Sequence, residues 1–242
     1  LKGVIFLNPM HGYGNSTQAK YLMADEYLSG NVREKLVLAR KSAELYPEDY
    51  TVNVETLERV QPKDLTASEI AVRLGATWLP TEIVEQFMFE FLGTPRYAQW
   101  NIKVHFSAYT GEWNIEGKSY DRSNVKAYST YGTGRINAYK IIEETLNLKD
   151  VRIFDYMYDA DGKKKAILNK KETAIAQAKQ ELIKQGFQDW VWSDPERRER
   201  LCRLYNDKFN SLRPREYDGS HIVFSGMNPE IELREHQRNA VA

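Results

Sequence analysis

Cysteine is nearly absent from this chain. Among 242 residues there is one, Cys202, so an intramolecular disulfide framework and a multi-cysteine zinc site are both excluded. Long apolar runs are missing too, and the mean hydropathy is −0.61, which argues against a membrane-spanning helix. Net charge is also lacking, because 34 Lys and Arg balance 34 Asp and Glu. A uniformly basic, nucleic-acid-coating protein is therefore not expected. The residues Leu1 to Asn8 lack the basic start and long apolar stretch of a signal peptide. With no initial Met, the chain reads as part of a larger cytoplasmic polypeptide. Aromatic residues, in contrast, are plentiful at 12%, more than a disordered chain carries.

The zero net charge hides an asymmetry. Residues 20–95 hold eight basic and thirteen acidic residues, a net −5, and residues 163–215 hold fourteen and seven, a net +7. The hydrophobic pattern predicts an α+β fold with an acidic helical N-terminal part over 1–95. An antiparallel β meander with one helix follows over 96–168, then a helical basic part over 169–217 and a linker over 218–242.

Local signals support that outline. Gly3 to Met10 reads as a short strand, followed by the Gly-rich His11-Gly-Tyr-Gly14. Asn31 and Glu34 form a capping-box pattern ahead of Val32, Leu36, Ala39 and Ala43. A second helix spans Val52 to Val60 and stops before Pro62. Ile70, Val72 and Leu74 alternate like a strand. Thr81 is expected to cap a helix to Leu92, with Ile83, Val84, Phe87 and Phe91 inward. Gly93-Thr-Pro95 is the expected internal boundary.

Period-two runs over Trp100 to Tyr131, including Val125, Ala127 and Ser129, predict strands turned at Thr110-Gly111 and Glu116-Gly117. A helix is expected from Arg135 to Leu146. Asp161-Gly162 then marks a hairpin between Val151–Tyr156 and Lys165–Leu168. The helix from Lys171 to Trp190 is expected to turn Ile175, Ala178, Leu182 and Phe187 inward. Asp194-Pro195-Glu196 opens the next helix, with Leu201, Leu204, Tyr205, Phe209 and Leu212 as its buried stripe. A short strand is expected at His221–Phe224, and a helix begins at Leu233.

Catalytic signatures are scarce. There is no Walker A loop and no Gly-x-Ser-x-Gly elbow. The histidines, 11, 105, 221 and 236, have no metal spacing. Asp159-Ala-Asp-Gly162 fails as a calcium loop, because aligning its glycine puts Met157 and Leu168 at ligand positions. Cys202 reads as a small core residue. Tyr131, Gly132, Thr133 and Arg135 precede a helix and could contact phosphate, or could simply form a turn that needs glycine. Trp190 and Trp192 beside Arg197, Arg198 and Arg200 could stack bases and hold phosphates. Alternatively, the tryptophans close a core and nearby glutamates neutralise the arginines.

Several strings are more distinctive. They are Ala24-Asp-Glu-Tyr-Leu-Ser-Gly-Asn-Val-Arg-Glu-Lys-Leu36, Val72-Arg-Leu-Gly-Ala-Thr-Trp-Leu-Pro80, Tyr205-Asn206 with Phe209-Asn210, Arg213-Pro-Arg-Glu-Tyr-Asp-Gly-Ser-His221, Gly226-Met-Asn-Pro229, and Leu233-Arg-Glu-His-Gln-Arg-Asn-Ala-Val241. Together they resemble the large adenine-specific DNA methyltransferase–helicase proteins of bacterial conjugative elements and phages. The resemblance implies the segment between the methyltransferase and the Swi/Snf-type helicase. It further implies that Gln237 contacts adenine in an intact parent, and that the parent uses ATP with magnesium and S-adenosylmethionine. The methyltransferase's Asn/Asp-Pro-Pro-aromatic motif is missing, since Met10 and His11 follow Asn8-Pro9.

The expected role is a non-catalytic segment that binds DNA weakly and couples flanking domains. Its expected contacts are Arg197, Arg198, Arg200, Trp190, Trp192 and Arg135, with no cofactor or metal of its own. Two alternatives stay open: an enzyme domain in its own right, such as a nuclease or methyltransferase remnant, and a protein-interaction platform.

Overall fold

A computed structural model describes residues 5–12, 20–158, 163–217, 222–228 and 230–241. The Tyr13-Gly14 part of the Gly-rich stretch, the Asp161-Gly162 turn, His221 and Pro229 lie outside the described residues. The fold is α+β, and its described strands form small antiparallel ribbons of two strands each.

The chain divides into two compact units, residues 1–65 with 204–242, and residues 66–203. The first unit opens with β1 (Ile5–Leu7), α1 (Pro9–Gly12), β2 (Tyr21–Met23), α2 (Ala24–Tyr27), β3 (Gly30–Asn31), α3 (Val32–Leu45) and α4 (Pro47–Arg59). In the second lie α5 (Thr81–Leu92), α6 (Arg96–Gln99), β4 (Lys103–Ser107), β5 (Glu112–Glu116), α7 (Ala138–Leu146), β6 (Phe154–Tyr158), β7 (Lys164–Leu168) and α8 (Lys170–Val191). The helix α9 (Pro195–Phe209) belongs to the second unit through Arg203 and to the first from Leu204. The first unit closes with β8 (Leu212–Arg213) and α10 (Glu235–Asn239).

In the first unit β1 pairs with β2 and β3 with β8, both antiparallel. Asn31 caps α3 as its spacing implied. Its Oδ1 accepts from the Glu34 N–H at 3.1 Å, and its Nδ2 donates to the Glu34 carboxylate. Val32, Leu36 and Ala39 then face a core with Phe6, Tyr27, Leu28 and Leu57. Phe6 and Tyr27 stack at 4.8 Å, and burial pushes the Tyr27 phenol up to about 12. Lys35 donates to the carbonyls of Glu26, Tyr27 and Ser29 at 2.8–3.0 Å. Its ammonium thereby satisfies the orphan acceptors at the end of α2. Asn206 takes the Leu65 N–H and donates to the Leu65 carbonyl at 2.8 and 2.9 Å, the two bonds a neighbouring strand would make.

The second unit repeats that device. β4 and β5 pair alone, and helices cover both outer edges. The Val104 N–H donates to Glu85 Oε1 at 2.8 Å on the β4 edge. On the β5 edge, Asn147 bonds both the N–H and the carbonyl of Trp113, while Glu143 accepts from the Ile115 N–H at 2.7 Å. Residues 151–153 lie outside any strand. Gln180 accepts from the Val151 N–H, Gln177 donates to the Val151 carbonyl, and Thr173 accepts from the Ile153 N–H. Ile70, Val72 and Leu74 alternate inward as expected, yet no strand forms there. Gln188 donates instead to the Val72 carbonyl at 2.7 Å.

This substitution explains where the expectations fail. No sheet spans Trp100 to Leu168, because Glu85, Glu143 and Asn147 close the β4–β5 edges and β6–β7 is a separate ribbon. Residues 126–130, expected as a strand, form a π-helical turn in which the Tyr131 N–H reaches the Lys126 carbonyl at 2.8 Å. Asn124 starts that turn by accepting from the Ala127 N–H. On α8 the buried stripe is Thr173, Ala176, Gln180, Ile183, Phe187 and Val191. Ile175 and Leu182, expected inward, are 40% and 52% exposed, and Ala178 is exposed too. Phe209 and Leu212 also face outward.

Other corrections are smaller. Pro80, not Thr81, occupies the N-cap position of α5. Asn137 caps α7 through the Lys140 N–H, so that helix starts after Arg135. Gly93-Thr-Pro95 lies within one core rather than between domains, since Leu92 and Ala98 are buried together. Residues 222–224 form no strand. Gly117 is obligatory: its φ is +70°, and a Cβ would run into the Asn101 carbonyl.

Glu143 is buried between Lys118 and Lys140, the latter 2.5 Å from its Oε1. Burial raises its pKa, but the hydrogen bonds from Lys118, Lys140 and the Ile115 N–H outweigh that and lower it on balance. A lowered folded pKa stabilises above the unfolded value, and the contribution fades as pH falls below the ordinary carboxylate range near about 4. Glu143→Gln should cost about 2–3 kcal/mol at pH 7. Urea melts across pH should show the gap to wild type narrowing below about pH 4.

Leu148 takes φ +58° just past α7. Its N–H meets the Thr145 carbonyl and the Lys149 N–H meets the Glu144 carbonyl, the Schellman pattern that favours glycine. Leu148→Gly should raise stability by about 0.5–1 kcal/mol in the same melts.

Candidate nucleic-acid interface

The start of α9 folds as its residues dictate. Asp194 Oδ1 accepts from the Arg197 N–H at 2.7 Å, and Pro195 begins the helix. That geometry turns Arg197 inward, leaving it 6% exposed. Its guanidinium donates to the carbonyls of Val191 and Trp190 at 3.2 and 2.6 Å and to Ser193 Oγ. It also lies 3.5 Å from the Trp190 ring centroid. Burial lowers its pKa, partly offset by Glu90 and Asp194. Arg197 thus closes the C-terminal end of α8, where carbonyls lack helical partners. It leaves the set of DNA contacts.

The tryptophans follow it. Trp190 donates to Glu90 Oε2 at 2.5 Å and packs 5.4 Å from the Phe87 ring. Trp192 is half-buried against the same core. Both therefore close the core rather than offering a face for bases. Arg198 and Arg200 remain exposed. At about 100° of turn per residue they stand roughly 160° apart around the helix, on either side of the buried Leu201 face. The structure does not bring the three arginines together.

The Gly132-Thr-Gly-Arg135 loop also resolves toward structure. A Cβ on Gly132 would run into the Ala127 carbonyl. Thr133 Oγ1 accepts from the N–H groups of Arg135 and Ile136 at 3.1 and 3.2 Å, which engages amides that a phosphate would need. The Tyr131 ring lies 4.3 Å from Phe91. Arg135 bonds Asp155 Oδ1 at 2.8 Å and the Phe154 carbonyl at 3.0 Å. Those hydrogen bonds, with one from Asn169, hold the Asp155 carboxyl below its ordinary range.

Gln237 is exposed at the start of α10, where its Oε1 accepts from the Arg234 N–H at 2.9 Å. Cys202 is half-buried, and desolvation raises its thiol pKa against a smaller effect of Arg198, which disfavours the thiolate. Among the described residues, no three His, Cys, Asp or Glu side chains gather as a metal site would require. No described helix is long and apolar enough to cross a membrane.

One surface was not singled out from the sequence. The β6–β7 ribbon pairs Phe154 with Leu168, Tyr156 with Ala166 and Tyr158 with Lys164, and almost all of its residues are exposed. The spacing of Phe154, Tyr156 and Tyr158 beside Lys163, Lys164 and Lys165 was its available signal. The Asp161-Gly162 signal predicts the pairing of that segment but says nothing of whether either of its faces is covered.

Residues 73–211, more than half of the chain, match the model of a family described as Domain of unknown function (DUF8437). No curated protein and no solved structure matches.

Arg197→Ala should cost about 2–4 kcal/mol, since it removes charged hydrogen bonds and a cation–π contact together. Arg198→Ala and Arg200→Ala should each stay within about 0.5 kcal/mol of wild type. Urea unfolding followed by tryptophan fluorescence measures all three.

Proposed function

We propose that this chain, which belongs to the DUF8437 family, is a non-catalytic DNA-binding and coupling segment of a larger cytoplasmic DNA methyltransferase–helicase of mobile elements. The observation that carries this reading is the +7 excess over residues 163–215 within a neutral chain. Much of that charge, including Lys163, Lys164, Lys165, Lys170, Lys171, Arg198, Arg200 and Arg203, is exposed. Contact with DNA is then electrostatic, sequence-independent and weak. The motif strings quoted above support the placement between the two enzyme domains. In that setting ATP, magnesium and S-adenosylmethionine serve the neighbouring domains, and Gln237 reaches adenine only once the helicase follows it.

A salt titration of duplex binding tests the DNA reading. Affinity at low salt should lie near the non-specific range of roughly 0.1 mM to 1 µM, and log affinity should fall linearly with log salt at about 0.9 per phosphate contact. Arg198→Ala combined with Arg200→Ala should make that slope shallower by about one to two. A wild-type chain that binds no duplex at low salt refutes the duplex contact. Identical slopes remove α9 from the contact.

A further inference from the structure

The β6–β7 ribbon extends from the second unit with little cover. Arg135 and Asn169 hold its base through Asp155, and Val151 and Ile153 just before it are buried. Beyond that anchor, Phe154, Tyr156 and Tyr158 are 37%, 59% and 73% exposed. Strand alternation puts these three rings on one face, together with Leu168, Ala166 and Lys164 from β7. Exposed apolar and aromatic surface of this kind marks an interaction site.

We propose that this face is a stacking platform for single-stranded DNA. Alternate residues on a strand stand about 6.8 Å apart, roughly twice the stacked base spacing of about 3.4 Å, so each ring can receive one unstacked base. Ala166, opposite Tyr156 in the register, is too small to cover that ring. Lys164 Nζ lies over the Tyr156 ring, 4.1 Å from its centroid, so it covers one face of that ring with a cation and a base must take the other. Lys163 precedes Lys164, Lys165 opposite Met157 projects from the ribbon's other face, and Lys170 and Lys171 open α8 next to the ribbon's base; all are exposed. At that base a cleft of about 600 Å³ is lined by Lys149, Arg152 and Phe154. Glu144 and Asp150 also line it, so the cleft is mixed in charge while the described end of the ribbon is basic. Aromatic rings interleaved with cations suit bases joined by phosphates.

A second copy of this chain fits the face less well than an anionic strand, because it brings further charge of the same sign to a ribbon end that already carries Lys163, Lys164 and Lys165. The choice of DNA over RNA rests on the proposed function above. The platform itself does not, since it uses neither Arg198 nor Arg200.

The test is fluorescence anisotropy of labelled twenty-nucleotide oligo-dT, oligo-U and duplex DNA with the full chain. Wild type should bind oligo-dT at low salt, with a log–log salt slope of about 0.7 per phosphate contact. Tyr156→Ala with Tyr158→Ala should weaken binding by about 5- to 150-fold per ring lost, whereas Tyr156→Phe with Tyr158→Phe keeps stacking and should stay within about twofold. Arg198→Ala with Arg200→Ala should leave oligo-dT affinity unchanged, so failure of the α9 reading and of this one are told apart. Melting curves establish that these surface variants fold. No binding of oligo-dT, equal binding by the alanine pair, or equal loss in the phenylalanine pair overturns the platform. Clear preference for oligo-U overturns the assignment to DNA. Concentration-dependent dimers in sedimentation, abolished by the alanine pair, reassign the face to a second copy and also overturn it.

Discussion

Extended backbone carries one N–H and one carbonyl per residue, and each needs a partner once it is buried. In this chain the strands are short and paired only in twos, so much of that demand falls on helices. Glu85, Asn147 and Glu143 serve the β4–β5 ribbon. Gln177, Gln180 and Thr173 serve residues 151–153, Gln188 serves Val72, and Asn206 serves Leu65. Each is a side chain of fixed reach placed at one register position. Removing one strands a buried backbone group, a larger loss than the modest net gain of forming the bond.

That arrangement sets the composition of the helix faces. Thr173 and Gln180 sit in the buried stripe of α8, where apolar residues would otherwise stand. Glu143 lies inside the core-facing side of α7, kept ionised by Lys118 and Lys140. Thr94, Tyr139 and Asp121 form a similar buried chain: Thr94 Oγ1 is 2.7 Å from the Tyr139 hydroxyl, which donates to Asp121 Oδ2 at 2.6 Å. Burial, reinforced by the Asp121 carboxylate, raises the Tyr139 phenol well above its ordinary value. The outer faces receive the displaced apolar residues, among them Ile175 and Leu182.

The same logic separates structural cations from available ones. Arg197 and Arg135 end on backbone carbonyls, and Lys35 caps α2. Charge that can reach a partner lies elsewhere, on Arg198 and Arg200 and around the β6–β7 ribbon. Two proposals use those surfaces, duplex contact and single-strand stacking: the lysines around the ribbon enter both, Arg198 and Arg200 only the first, and the ribbon's rings only the second.

By itself the sequence determined the local events. Asn31 with Glu34, Asp194 with Pro195, the β4–β5 turn at Gly111, the β6–β7 pairing and the helix through Leu92 all depend on neighbours within a few residues. The α+β class followed from the same periodicities. Tertiary structure alone decided which extended segments became strands, because Ile70–Leu74 and Val151–Ile153 find side-chain partners far along the chain. It also decided which face of α8 is inside, since glutamines that look solvent-facing carry bonds to distant backbone. Arg197, expected as a DNA contact, is buried by the same kind of bond. A guanidinium reads as exposed charge until the carbonyls at the end of a preceding helix are seen to surround it.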